Sequence, residues 1–145
     1  MFCSFLSVDK CAELVSQSKK PVIIVGSQAT LPPTPVESLR DSLNKLGIPC
    51  FLGGMSRGLL GAKSDIQMRQ RRRDALKEAD LIILAGAVCD FRLSYGRGLS
   101  KKAKIIAVNR SKDQLYKVSY ISFRLITNLL TLFKAHLSLA SIFKE

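Results

Sequence analysis

Two spacings of apolar residues alternate along the chain. One recurs every three to four positions and predicts helix. The other is an unbroken aliphatic run and predicts a strand buried on both faces. Val8, Cys11, Leu14 and Val15 form the first helical stripe, with Ser7 as its N-cap and Lys19, Lys20 and Pro21 at its end. Residues 22–25 are the first apolar run, closed by Gly26. The prolines that follow forbid a regular helix until Pro35, which suits a first helical turn. Val36, Leu39, Leu43 and Leu46 then line one helical face, and Gly47 ends it. Residues 48–52 are the second run, ending at Gly53 and Gly54, and residues 55–65 are glycine-rich and irregular. Residues 66–79 predict a helix, and residues 81–86 predict the third strand. A polar, basic loop with Asp90, Arg92, Ser94, Tyr95 and Arg97 comes next. Residues 104–108 are the fourth run, ending at Asn109, and Ser111 caps a short helix through Tyr116.

Strands separated by helices or long loops predict βαβ units, hence an α/β fold with a parallel sheet and right-handed crossovers. No linker or repeat divides the chain, so residues 1–145 are expected to form a single domain. The tail is less regular. Leu125, Leu129, Leu132, Phe133 and Leu137 follow helical spacing, and Arg124, Asn128, Lys134 and His136 interrupt the apolar stretch. Residues 119–145 are therefore expected to be a divergent helix, packed on the sheet or on a neighbouring domain rather than lying on a membrane surface. The uncharged stretch 125–133 is too short to span a bilayer, and the N-terminus lacks the basic start of a secretory signal.

Composition narrows the partners. The formal charge is +12 over 145 residues, which favours anionic ligands or surfaces without choosing among them. Cys3, Cys11, Cys50 and Cys89 make no CxxC pair, so buried reduced thiols are expected rather than a disulfide or metal framework. Arg69, Arg71, Arg72 and Arg73 invite a nucleic-acid reading. On a helix, however, only Arg69 and Arg73 would share a face, and no aromatic residues are interleaved for base stacking. A solvated or domain-facing helix start is the better expectation, with no nucleic acid as partner.

The candidate site lies at the strand ends. Gly26, Ser27 and Gln28, then Gly53 and Gly54, then Gly86 and Ala87, then Asn109, are residues that admit a ligand closely or hold it. Ligands of open parallel sheets sit beyond the carboxyl ends of the strands, where helix starts also offer N–H groups to anions. Arg92 and Arg97 add paired donors for phosphate. A nucleotide-like ligand is the expectation, although both G-x-G-x-x-G and the P-loop pattern are absent. No catalytic residue and no metal site is expected. The lone histidine, His136, lies in the tail, and the eleven carboxylates are scattered.

The segments KPVIIVGSQA, LGIPCFLGGMSRGLLG, ALKEADLIILAGAVCDFRLSYGRGLS and KIIAVNRS resemble the central domain of thiamine-diphosphate-dependent enzymes. The branch is that of acetolactate synthase-like proteins and 2-hydroxyacyl-CoA lyases. The resemblance covers roughly residues 14–116. It implies a three-layer, Rossmann-like sheet that binds FAD in acetolactate synthases and ADP or CoA parts in some relatives. It also implies neighbouring domains that supply the activating glutamate and the Gly-Asp-Gly motif for magnesium and the diphosphate, together with a homo-oligomeric full-length enzyme. Relatives of this branch are associated with the endoplasmic reticulum membrane or with mitochondria.

This chain contains no Gly-Asp dipeptide. Binding of thiamine diphosphate and magnesium is thus expected of the full-length enzyme, and the chain alone is expected to be inactive. Val88 stands where flavin-binding relatives carry an arginine and cannot pair with a phosphate, which argues against FAD. Arg92 matches the second arginine of that motif. Asn109 replaces a usual aspartate and can still hydrogen-bond a ribose. The tail lacks the family's last strand with its Gly-Asp pair, so a truncated or altered product with an incomplete sheet is expected. The alternative is a stand-alone module that binds an adenine nucleotide or an acidic partner through its basic face.

Overall fold

A computed structural model describes residues 5–117, 121–127, 131 and 133, with the side chains of 5–7, 91, 92 and 126 outside that description. The elements run α1 (Phe5–Gln17), β1 (Pro21–Val25), α2 (Val36–Leu46), β2 (Cys50–Leu52), α3 (Arg72–Glu78), β3 (Leu81–Ala85), β4 (Lys104–Asn109), α4 (Lys112–Leu115) and β5 (Phe123–Ile126). Short 3-10 turns follow β1, β2 and β3. The five strands form one all-parallel sheet in the order β2-β1-β3-β4-β5.

The strands bury both faces, and their residues alternate between two cores as the two-residue period demands. Ile23, Val25, Leu81, Ile83, Ile106 and Leu125 face α1 and α2, where Val8, Cys11, Val15, Leu39 and Leu43 meet them. Val22, Ile24, Ile82, Leu84 and Ile105 face the other side, with Leu76 of α3, Leu93 and Leu115 of α4. The result is the expected three-layer α/β, Rossmann-like fold. The layering also follows from handedness. The chain moves outward from β1 to β2 and then reverses past β1 to β3, so right-handed crossovers must put α2 and α3 on opposite faces. They lie on opposite faces.

Four expectations need correction. Residues 66–79 are not one helix. Cys50 donates its N–H to the Ile66 carbonyl at 2.8 Å, and Met68 donates to the Cys50 carbonyl at 2.8 Å. Residues 66–68 are therefore drawn into the open edge of β2, and the helix begins only after Arg71, at φ 57°. Arg69 and Arg73 consequently share no helical face. Ser7 lies inside α1 rather than capping it. The sheet is not short of a strand: β5 pairs with β4 from Ile106–Phe123 to Asn109–Ile126. Leu125, assigned by its spacing to a helix, belongs to that strand. The competing period lost because β4 offers a free ladder edge. Arg124 then pins the strand, donating from Nε to the Leu115 carbonyl at 3.0 Å and lying over the Tyr116 ring.

Beyond β5, Thr131 and Phe133 are helical, and Phe133 is 1% exposed in the α1–α2 core. Most of the expected tail helix over 119–145, with His136, and also Cys3, lie outside the described residues. Cys11, Cys50 and Cys89 are buried thiols outside any disulfide, as expected of structural thiols. Burial pushes the Cys50 thiol up to about 12. Burial first, and then the Asp90 charge, pushes Cys89 up to about 11. Neither is a nucleophile at neutral pH.

At the opposite end of the sheet from the strand-end glycines, Asp80 closes the turn between α1 and β1. Its carboxylate accepts the N–H groups of Lys19 at 2.7 Å and Lys20 at 2.9 Å. The slight burial alone would raise its pKa. Backbone N–H groups, those of Lys19 and Lys20 foremost, outweigh that and hold it below the usual aspartate value. A carboxyl depressed in the folded state adds stability above its unfolded pKa and loses it as pH falls through the folded one. Asp80→Ala is therefore expected to lower the urea midpoint at pH 7, by a deficit that is smaller at about pH 3, below the ordinary aspartate value. An equal deficit at both pH values would show that the charge plays no part.

Candidate functional site

The strand order reverses between β1 and β3, and Gly26 and Gly86 stand at the carboxyl ends of those two strands. In open α/β sheets this is the place for a ligand crevice. Here the two glycines pack backbone on backbone. A Cβ on Gly26 would sit 2.5 Å from both the Ala87 Cα and the Gly86 carbonyl oxygen. A Cβ on Gly86, at φ 60°, would sit 2.3 Å from the Ala29 nitrogen. Gly53 joins the same rim, donating its N–H to the Val25 carbonyl at 2.9 Å. Gly54 lies against Ser27, whose Oγ accepts the Met55 N–H at 3.0 Å. Ser56, fully buried, ties the corner down by donating from Oγ toward the Val25 and Gly53 carbonyls. Gly26, Gly53 and Gly86 thus meet on one rim of one parallel sheet.

The N–H groups of that rim are largely used within the chain. Gly26 donates to Ala85, Gln28 to Gly86 and Ala29 back to Gly26. Nor does a long helix begin at the β1 corner, because a 3-10 turn over Ser27–Thr30 and a proline loop separate β1 from α2. The expected anion cradle of backbone donors is absent from the β1 corner. What the rim offers instead is side chains and a shallow crevice of about 120 Å³. Gly26, Ser27, Gln28, Gly53, Gly86 and Ala87 line it, and Arg72 stands at its edge.

Asn109 ends β4 at a neighbouring point of the rim and is 3% exposed. Its Oδ1 accepts the Ser111 N–H at 2.9 Å, which fixes the amide. Its Nδ2 is buried with no hydrogen-bond partner. Beside it is a small cavity of about 10 Å³, lined also by Gln28, Thr34, Gly86 and Arg110. A buried amide donor without an acceptor costs about 1–3 kcal/mol, so an unmet donor here points to something that supplies the acceptor. The backbone of Arg92 lies in the 3-10 turn after β3, and its side chain is outside the description.

A second, larger cleft, which the sequence did not reveal, opens beside the rim crevice. It measures about 650 Å³ and is lined by Arg72, Arg73, Leu76, Lys77, Leu93, Ser94, Arg97, Gly98 and Leu99. Arg72 and Leu93 line both spaces. Arg97 was expected to face a ligand. The basic run of Arg69 and residues 71–73 was expected to be a solvated or domain-facing helix start, and only the tertiary fold brings Arg72 and Arg73 together with Arg97.

Comparison with known proteins agrees with this geometry. Residues 8–135 match the thiamine pyrophosphate enzyme central domain. The chain is 69% identical over 112 residues to the 2-hydroxyacyl-CoA lyase 2 of Danio rerio, covering 77% of this chain and 18% of that protein. It is 54% identical over 108 residues to the human 2-hydroxyacyl-CoA lyase 2, covering 74% of this chain and 17% of that protein. It is 30% identical over 104 residues to an acetolactate synthase large subunit of Mycobacterium tuberculosis, covering 72% of this chain and 19% of that one. The chain thus spans less than a fifth of the length of the curated relatives it matches. The five parallel strands reversing at β1 and β3, and a match that runs from α1 past β5, make this chain a member of the thiamine pyrophosphate enzyme central-domain family.

Proposed function

We propose that the chain serves as the middle domain of an enzyme of the 2-hydroxyacyl-CoA lyase type, joining domains that carry the reaction. We further propose that its rim at Gly26, Ser27, Gln28, Gly53, Gly54, Gly86, Ala87, Arg92 and Asn109 holds a nucleotide-like ligand. The observation that carries the ligand reading is the Asn109 amide, buried at the sheet edge with its Nδ2 unpaired. An acceptor such as a ribose oxygen would satisfy it.

Thiamine diphosphate in this family works with a cation on its diphosphate, and the residues here do not fit that group. Among the described residues no cluster of three or more His, Cys, Asp or Glu side chains gathers to hold a metal ion. The sequence has no Gly-Asp dipeptide. No step of the thiamine chemistry is assigned to these residues. A flavin fits poorly as well. Its pyrophosphate would meet Val88 and a β1 corner whose N–H groups already donate to Ala85, Gly86 and Gly26. An adenosine-like group asks less of the corner, because it needs mainly the Asn109 donor and the crevice.

Titration calorimetry on the 145-residue chain with ADP, CoA and FAD tests the reading. Saturable ADP binding is expected, weakened about tenfold, or 1.4 kcal/mol, by Gln28→Ala or Asn109→Leu. Failure of all three ligands to bind would remove the nucleotide role and leave the scaffold. A carbon–carbon lyase assay on the chain by itself is expected to read zero. Measurable turnover would sink the claim that the reacting groups come from other domains.

A further inference from the structure

The cleft beside α3 is built differently from the rim. Cations line it from both sides: Arg73 and Lys77 from one wall and Arg97 from the other, with Arg72, which also lines the rim crevice, engaged in a contact of its own. No carboxylate is among its lining residues. The acidic side chains of α3 are engaged away from it. Asp74 pairs with Arg71 at 3.4 Å, and Glu78 pairs with Lys20 at 3.7 Å. The floor is apolar, made by Leu76, Leu93 and Leu99, each under 8% exposed. Like charges gathered around one hollow repel one another, and an anion is what relieves them.

Strain falls at the same place. Among the described residues, three that are not glycine have positive φ: Arg71 at 57°, Ser94 at 51° and Tyr95 at 51°. Arg71 sets the start of the α3 wall, and Ser94 lines the opposite wall with Tyr95 next to it. The left-handed region is strained for a residue with a Cβ, and such residues persist where the surrounding contacts fix them. Here the Asp90 carbonyl accepts the N–H groups of both Leu93 at 3.1 Å and Tyr95 at 2.9 Å. That pair of bonds folds the turn back so that Leu93 reaches the floor and Arg97 comes round to face α3.

We propose that this cleft is a second binding site, separate from the Asn109 rim, for a small organic polyphosphate. Its phosphates lie among Arg73, Lys77 and Arg97, and its flat apolar part rests on Leu76, Leu93 and Leu99. A volume of about 650 Å³ falls in the range of small-molecule sites, about 300–1,000 Å³. The leucine floor favours an organic ligand over bare phosphate. The guanidinium groups supply paired donors that phosphate oxygens accept.

The test is titration of the whole chain with ATP and with inorganic tripolyphosphate, at low and physiological salt. ATP is expected to bind, more weakly at the higher salt, and about fivefold or more tighter than tripolyphosphate because of the apolar floor. The triple variant Arg73→Gln, Lys77→Gln, Arg97→Gln changes exposed side chains only, and its unchanged circular dichroism would confirm folding. In the Gln28→Ala background, which weakens the rim site, it is expected to lower the remaining ATP affinity by about tenfold or more. ATP binding that survives the triple variant but falls with Gln28→Ala would overturn the cleft and keep the rim. Tripolyphosphate binding as tightly as ATP would overturn the organic ligand. Poly-glutamate binding more tightly than ATP would overturn the small molecule in favour of an acidic protein surface.

Discussion

Gly86→Ala is expected to destabilise the domain by about 3–5 kcal/mol, measured as a fall in the urea-unfolding free energy. Two costs add at this position. The φ of 60° lies in the left-handed region, which penalises any Cβ by about 1–2 kcal/mol. The added carbon would also stand 2.3 Å from the Ala29 nitrogen, 2.8 Å from the Gln28 carbonyl carbon and 2.9 Å from the Ala29 Cα. All three are backbone atoms, so no rotamer change relieves the overlap, and the β1 and β3 corners must separate. Separation would break the Gln28 to Gly86 hydrogen bond of 3.2 Å that stitches the corners together. Gly47→Ala is the control. Its φ of 64° is nearly the same, but a Cβ there meets nothing within 4 Å, so only the backbone cost of about 1–2 kcal/mol applies. Equal losses in the two variants would mean that the corners are not packed on each other.

The same comparison separates what the residues disclosed from what they hid. Each glycine at a strand end was visible as the stop of an apolar run, and so was the shared rim, because parallel strands must end on one side. The reason for each glycine was not visible. Gly26 and Gly53 have extended backbones, with φ of −106° and −129°, so their conformation is open to any residue. Gly26 is there because another chain segment touches it. At Gly53 a Cβ would make only an ordinary 3.8 Å contact. Such facts depend on distant partners that no local pattern encodes.

The basic cleft was hidden for a related reason. Arg71 to Arg73 and Arg97 were both noticed, but as separate features, because residues 66–79 fit a helical period. The edge of β2 claimed residues 66–68 with two ladder bonds to Cys50. That displaced the helix start to Arg72 and turned its first residues toward the loop after β3. Asn109 was legible as a sheet-edge amide. The loss of its Oδ1 to Ser111, which leaves a donor and not an acceptor facing the cavity, was not.

Phe133→Ala is expected to cost about 3–5 kcal/mol, and it bears on whether the divergent tail belongs to the domain. Helical spacing alone left three options for this phenylalanine: the sheet, a neighbouring domain or a membrane surface, the first two preferred. It is 1% exposed and lies in the same core as Val8, Cys11, Val15, Leu39 and Leu125. Those residues come from α1, α2 and β5, so Phe133 is part of the core on that face of the sheet. Truncating the ring removes its apolar transfer energy and leaves a cavity that helices packed on a parallel sheet collapse into only partly. The loss should appear as a lower urea midpoint with an unchanged slope, because the surface exposed on unfolding is nearly the same. Phe133→Leu keeps most of the volume and should recover more than half of the loss. A tail that merely waits for a neighbouring domain predicts something else: both variants would unfold with the parent chain, within about 0.5 kcal/mol. The place of Phe133 in the core beside Leu125 would then have to be abandoned, and with it the account of how a strand with so mixed a sequence is held at the sheet's edge.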